Sequence, residues 1–197
     1  MTFDTFTLPA VILVAVTAII LLSSYDWRLS LSALGAMYVG VFVLVALSWP
    51  LEMAVVKLAA GWISASVLGI SLINRPLAAP RRRYIVSEIV FRISASGLMG
   101  LVAVSLTPKV LAALTNATYE QALGGLLLLG LGILHLGFTA DPLRVALGLL
   151  TVLAGFEILY AVIESSALVA GFLAAINMGM ALTGAYLLLP PVVEREE

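Results

Sequence analysis

The sequence predicts an all-α integral membrane protein of seven transmembrane helices. Three observations lead there: an apolar fraction of 62% against 11% charged residues, a mean hydropathy of +1.16, and long apolar runs separated by short polar connections. A soluble domain carries about 45–50% apolar and roughly 25% charged residues. A chain of 197 residues holds several spans of ~20 residues and leaves no room for a separate soluble domain. Residues 1–197 are therefore expected to form a single membrane domain. The runs are continuously apolar rather than alternating, which argues against a β-barrel.

Prolines divide the chain. Proline lacks an N–H and clashes in helix interiors. All eight (Pro9, Pro50, Pro76, Pro80, Pro108, Pro142, Pro190, Pro191) are accordingly expected in the first turn of an apolar run or between runs. The spans drawn this way are 8–24, 29–48, 51–73, 89–107, 122–139, 143–163 and 166–189. The first is short at ~1.5 Å per residue and needs snorkelling flanks or local thinning of the bilayer. The N-terminal MTFDTFTLPA is acidic rather than basic and lacks a small-residue cleavage site. The first run is thus expected to be a retained span, not a cleaved signal peptide.

Charge gives the orientation. With the N-terminus outside, the inner connections and the C-terminal tail hold Arg28, Arg75, Arg81, Arg82, Arg83, Arg92, Arg144 and Arg195. The outer connections hold only Lys109, and Lys57 falls within a span. This asymmetry predicts an N-terminus outside and a C-terminus in the cytoplasm, in a plasma or inner membrane. The arginines of RPLAAPRRR are open to two readings, an orientation signal touching anionic headgroups or a specific lipid or partner site.

The chain also divides into two parallel three-helix units, 8–73 and 122–189, joined by a connecting helix at 89–107. Arg28 starts the middle helix of the first unit, and Arg144 starts that of the second. A very short outer turn follows each middle helix, SWPLE in one and ESSA in the other. The third helices carry small residues at fourfold spacing, Gly61, Ala65 and Gly69 in one, Ala175, Gly179 and Thr183 in the other. Such stripes let helix backbones approach closely in lipid.

Soluble-enzyme motifs are missing: no phosphate loop, dinucleotide glycine pattern, HExxH or Ser/His/Asp grouping. Without cysteine, and with His135 as the only histidine, neither a disulfide nor a metal site is expected. No cofactor and no nucleic acid are expected either. The candidates are polar residues inside apolar spans, where a charge at mid-helix costs ~2.5–3.5 kcal/mol on insertion scales.

Glu157, in VLAGFEILYAV, is either a reversible proton carrier or a structural carboxyl bonded to a neighbouring helix. Lys57, in EMAVVKLAAGW, either pairs with an acid or snorkels outward on its long stem. Both fall ~9 Å below the outer boundary at ~1.5 Å per residue, so a direct or water-bridged pair is within reach. Asn177 is deeper and does not titrate; it holds a water or a helix contact. His135 sits one turn from the inner end of the fifth span, either as a proton entry or as a hydrogen-bonded interface residue. Glu88 and Arg92, four apart, are expected to pair with each other or with headgroups. Glu52 and Glu164 are expected to be solvated.

The stretch PLRVALGLLTVLAGFEILYAVIESSALVAGFLAAINMGMALTGAYLLL resembles subunit K of the proton-pumping NADH-quinone oxidoreductases. It is also similar to the C subunit of Mrp-type sodium/proton antiporters. The doubled layout, with RLSLSALGAMYVGVFVLV and the lysine-bearing helix around Lys57, looks like the E subunit of group 4 membrane hydrogenases. The resemblance implies a non-redox membrane subunit of a larger assembly, with other membrane subunits and lipid as its partners. Gly155-Phe156-Glu157-Ile158 matches the motif whose glutamate belongs to that family's lateral proton path. The family's second glutamate, on the following helix, has no counterpart here, and Asn177 lies nearest its place. Proton-path candidates are therefore Glu157, Lys57, Asn177 and His135.

Overall fold

A computed structural model describes residues 6–73 and 86–189. They form seven helices: α1 (Thr7–Ser23), α2 (Trp27–Val45), α3 (Leu51–Ile73), α4 (Val86–Ala113), α5 (Tyr119–Gly137), α6 (Pro142–Tyr160) and α7 (Ala167–Leu187). No strand occurs among the described residues. Six of the helices, α2 to α7, are long and apolar enough to cross a membrane, while α1 is a shorter apolar helix of 17 residues. This is the architecture of a multi-pass helical membrane protein. The arginines at 75, 81, 82, 83 and 195 and the prolines at 76, 80, 190 and 191 lie outside the described residues.

Local chemistry explains where the helices start. The Asp26 carboxylate accepts a 3.0 Å bond from the backbone N–H of Arg28 and caps α2. Asp141 caps α6 in the same way through Arg144 N–H at 3.3 Å, with Pro142 supplying a preset φ in the first turn. Thr118 and Gln121 form a reciprocal capping box on α5.

One proline departs from its expected place. Pro108 lies inside α4, which continues to Ala113 and takes Lys109 into the helix. A proline within a helix removes a single backbone bond, and in membrane helices nearby hydroxyls ease that loss. Pro108 leaves the Val104 carbonyl without its helical N–H donor, and the adjoining Thr107 donates from Oγ1 to the Ala103 carbonyl at 2.8 Å, one turn back. α4 is thus longer than expected at both ends, 86–113 against 89–107.

α1 lies against α5, α2 against α6, and α3 against α7. α4 rests against α5 and α1 through a narrow stripe of Arg92, Ser96, Ala103 and Thr107. Away from that stripe α4 exposes large apolar side chains, among them Leu98, Leu101 and Val104, as a lipid-facing surface requires. The turn after α2 meets the turn after α6, where the Trp49 indole donates to the Glu164 carbonyl at 2.8 Å. Gln121, buried at the start of α5, donates to the Leu44 carbonyl and Ser48 Oγ at the end of α2. These bonds join the two halves at one end of the bundle.

The small-residue stripes behave unequally. Gly61 is pressed against the Tyr38 ring, where a Cβ would collide, whereas Gly179 faces open space. α5 and α6 approach closely at Gly155, where a Cβ would run into Leu129 N and the Gly125 carbonyl. The glycine of the G-F-E-I motif therefore sets the distance between two helices.

Candidate functional site

Lys57 and Glu157 form an ion pair inside the bundle. Lys57 comes from the second turn of α3 and Glu157 from the last turn of α6. The lysine is 3% exposed and the glutamate fully buried, so the outward snorkelling open to Lys57 is not what the side chain does. An unpaired charge here would face a large desolvation penalty, and mutual neutralisation is what makes the burial of both tolerable. Beyond each other, Lys57 Nζ and the two Glu157 oxygens have no hydrogen-bond partner among the described residues.

The pair continues into a polar string. Lys57 Nζ lies 5.0 Å from the centroid of the Tyr38 ring, on α2, a distance at which a cation is attracted to the ring face. The Tyr38 hydroxyl donates to Asn177 Oδ1 on α7 at 2.9 Å. Ser64 Oγ on α3 bonds the Ala60 carbonyl at 2.8 Å and reaches the Asn177 carbonyl at 3.4 Å. Tyr38, Ser64 and Asn177 are all fully buried. Four helices, α2, α3, α6 and α7, thus contribute one connected set of polar groups in an apolar interior. Asn177 Nδ2 keeps its donors unused. Asn177 is therefore a helix–helix contact with donor capacity left over.

His135 is not part of this string. It is buried in the last turn of α5, at the opposite end of the bundle, and its Nε2 has no hydrogen-bond partner. Around that end lie Tyr25, Glu88, Arg92 and Arg144. Arg92 Nη2 pairs with Glu88 Oε1 at 2.9 Å, as their spacing suggests, and Tyr25 donates its hydroxyl to the same carboxylate. Burial, and then the bond to Glu88, raise the Tyr25 phenol above its ordinary range. Glu52 and Glu164 are exposed.

Two residues of consequence escape sequence reasoning. Tyr38 reads as one more aromatic in an apolar helix, although its hydroxyl needs a partner when buried, and that need was the available signal. Arg144 reads as an orientation charge, yet it is buried.

The sequence matches no protein-family model, and comparison with curated proteins and with solved structures finds no similar one.

Proposed function

We propose that the chain is a membrane subunit of an ion-translocating assembly of the complex-I, membrane-hydrogenase or Mrp type, and that Lys57–Glu157 is its charge-carrying element. The observation that carries this reading is the buried ion pair joining the two halves of the chain. Ionisable residues within membrane helices mark proton and ion pathways more than any other role. A lysine–glutamate pair can pass a proton between its members, become two neutral groups, and re-form, without ever leaving a lone charge in the apolar interior. Tyr38 and Asn177 extend the same polar string, and Asn177 Nδ2 has unused donors for a water. The resemblance of Gly155-Phe156-Glu157-Ile158 to the glutamate motif of subunit K points in the same direction.

On this reading the chain crosses the membrane seven times with its N-terminus outside, as two parallel three-helix units linked by α4. It carries no redox centre, and proton or sodium movement is coupled to chemistry in neighbouring subunits. The broad lipid-facing surface of α4 suits it to contact such neighbours. Tagged full-length protein extracted in mild detergent is expected to bring larger membrane subunits with it. A monodisperse chain that carries ions by itself in liposomes overturns the subunit reading.

A structural subunit whose polar groups only fix helix packing is the second reading. The hydrogen bond between Tyr38 and Asn177 favours it, since that bond holds α2 to α7 with no titrating group. The two readings part on whether Glu157→Gln, which retains packing, also retains ion movement.

A further inference from the structure

The opposite end of the bundle holds a second cluster, and its charges do not balance. Arg92 and Arg144 both reach the carbonyl of Leu22, at the end of α1, through Arg92 Nη1 at 2.8 Å and Arg144 Nη2 at 2.7 Å. Both guanidinium groups also lie over the ring of Tyr25, at 5.1 and 4.6 Å from its centroid. Two like charges therefore converge on one oxygen and one aromatic ring. Arg92 is neutralised by Glu88. Among the described residues Arg144 has no carboxylate within ion-pair distance; Asp141 caps the start of the same helix through the Arg144 N–H and attracts the guanidinium only from farther away.

Arg144 is nevertheless 92% buried, from a relative exposure of 8%, and its Nε and Nη1 have no hydrogen-bond partner. His135, 1% exposed, adds an unpartnered Nε2. A buried guanidinium with two idle donors is among the costliest arrangements a protein can hold, unless an anion completes it. The groups come from the 24–26 turn, the beginnings of α4 and α6 and the end of α5. All of these lie at one end of the helices, and in a membrane-spanning bundle the helix ends meet the lipid headgroups. Planar guanidinium forks match phosphate oxygens in a two-pronged way, which a single ammonium does not.

We propose that Arg144, together with Arg92 and His135, binds a phosphate group, supplied either by a phospholipid headgroup or by free phosphate. Nε and Nη1 of Arg144 offer a two-pronged donor edge, Arg92, itself paired with Glu88, shares the Leu22 carbonyl with Arg144 and borders the site, and His135 Nε2 contributes a further donor when it carries the ring proton. Tyr25, half-exposed in its turn, lies across both guanidinium groups and keeps them positioned. The site is independent of the Lys57–Glu157 pair and does not rest on the function proposed for it.

The test uses the delipidated full-length chain in maltoside micelles, with native mass spectrometry for bound lipid and thermal unfolding as a second readout. Phosphatidylglycerol is compared with diacylglycerol of the same acyl chains, which lacks the phosphate, and inorganic phosphate with chloride at equal ionic strength. Phosphatidylglycerol is expected to bind and raise the unfolding midpoint, and diacylglycerol to do neither. Stabilisation by inorganic phosphate as well identifies free phosphate as a sufficient ligand, whereas stabilisation by phosphatidylglycerol alone assigns the site to the headgroup. Arg144→Gln is expected to weaken phosphatidylglycerol binding at least about tenfold, the scale of one charged hydrogen-bond pair. Arg28→Gln, at an exposed arginine stacked on Trp27, leaves binding unchanged. Should Arg144→Gln not fold, Arg144→Lys, which keeps the charge and loses the fork, is expected to weaken binding in the same direction. Equal binding of phosphatidylglycerol and diacylglycerol overturns the proposal, as does unaltered affinity in the Arg144 variants. The cluster would then be completed by a protein carboxylate or by water.

Discussion

Lys57 on α3 and Glu157 on α6 neutralise one another in the interior of the bundle, each shielded from solvent by helices of both halves of the chain. Neither residue belongs to its own helix's energetics. A charged side chain on an isolated apolar helix opposes insertion, so each of the two helices is completed only by the other. The pair ties the packing of α3 against α6 to the ionisation of two side chains, and that tie can be measured.

Breaking the pair from one side should cost more than removing it altogether. Lys57→Met or Glu157→Leu alone leaves one buried charge without its counter-ion, and a loss of about 3–5 kcal/mol is expected. The double variant Lys57→Met/Glu157→Leu replaces both charges with apolar groups and should recover most of that loss. Unfolding midpoints of the four proteins in one detergent decide it. Additive losses in the double variant would show that the two residues do not depend on each other.

The contact between Gly61 and Tyr38 sets a second expectation. A Cβ at position 61 would run into the Tyr38 ring, whereas one at Gly179 meets nothing. Gly61→Ala should therefore destabilise the fold by about 1–3 kcal/mol, as overpacking does, and Gly179→Ala should be close to neutral. Tyr38→Phe keeps the ring beside Lys57 and removes only the bond to Asn177, for an expected loss of ~0.6 kcal/mol and at most ~1.7. A thermal-stability ranking that places Gly179→Ala below Gly61→Ala contradicts this packing.

Much of this fold was legible in the sequence because lipid is a simple solvent. Apolar runs, prolines and turn residues placed six of the helices to within a few residues, and the end of α4 was missed at Pro108 because a membrane helix can absorb one lost backbone bond. Depth alone put Lys57 and Glu157 within reach of one another, since both sit at a similar distance from the same end, and left pairing and outward snorkelling of Lys57 both open. Which residues face one another across helices is a question of rotation, and periodicity in an almost uniformly apolar helix carries little of that information. Tyr38 and Arg144 were missed for this reason. An aromatic residue and an end-of-helix arginine look alike in sequence whether they face lipid, water or the interior.

The seven-span topology predicts that residues on either side of α4 lie on opposite faces of the membrane. Because α4 continues through Lys109 to Ala113, an outer reporter belongs at Asn116, in the connection to α5. Its partner belongs at Arg82. Alkaline phosphatase and fluorescent-protein fusions at the two positions should report outside and inside respectively. The same side from both would remove α4 as a span and, with it, the parallel relation of the two three-helix units.

The most direct test of function is the carboxyl of Glu157. Glu157→Gln retains nearly the same volume and a hydrogen-bonding group beside Lys57, so the bundle is expected to assemble, though with a lower unfolding midpoint because the lysine loses its counter-ion. The amide cannot take up or release a proton. In membrane vesicles containing the whole assembly, ion translocation should fall severalfold while electron transfer in the partner subunits persists in part. Glu157→Asp keeps a carboxylate at shorter reach and should be milder on both counts. A companion variant, Asn177→Ala, removes the amide next to Tyr38 without touching the titrating pair. If the string beyond Lys57 carries water or an ion, this variant also slows translocation; if it serves packing only, stability falls and the translocation rate per assembled complex does not. Pumping measured across a pH series separates the cases, because loss of a proton carrier changes the pH profile whereas loss of packing lowers the yield of complex at every pH. Normal pumping by an assembled Glu157→Gln protein throughout that range would assign the ion pair to architecture alone.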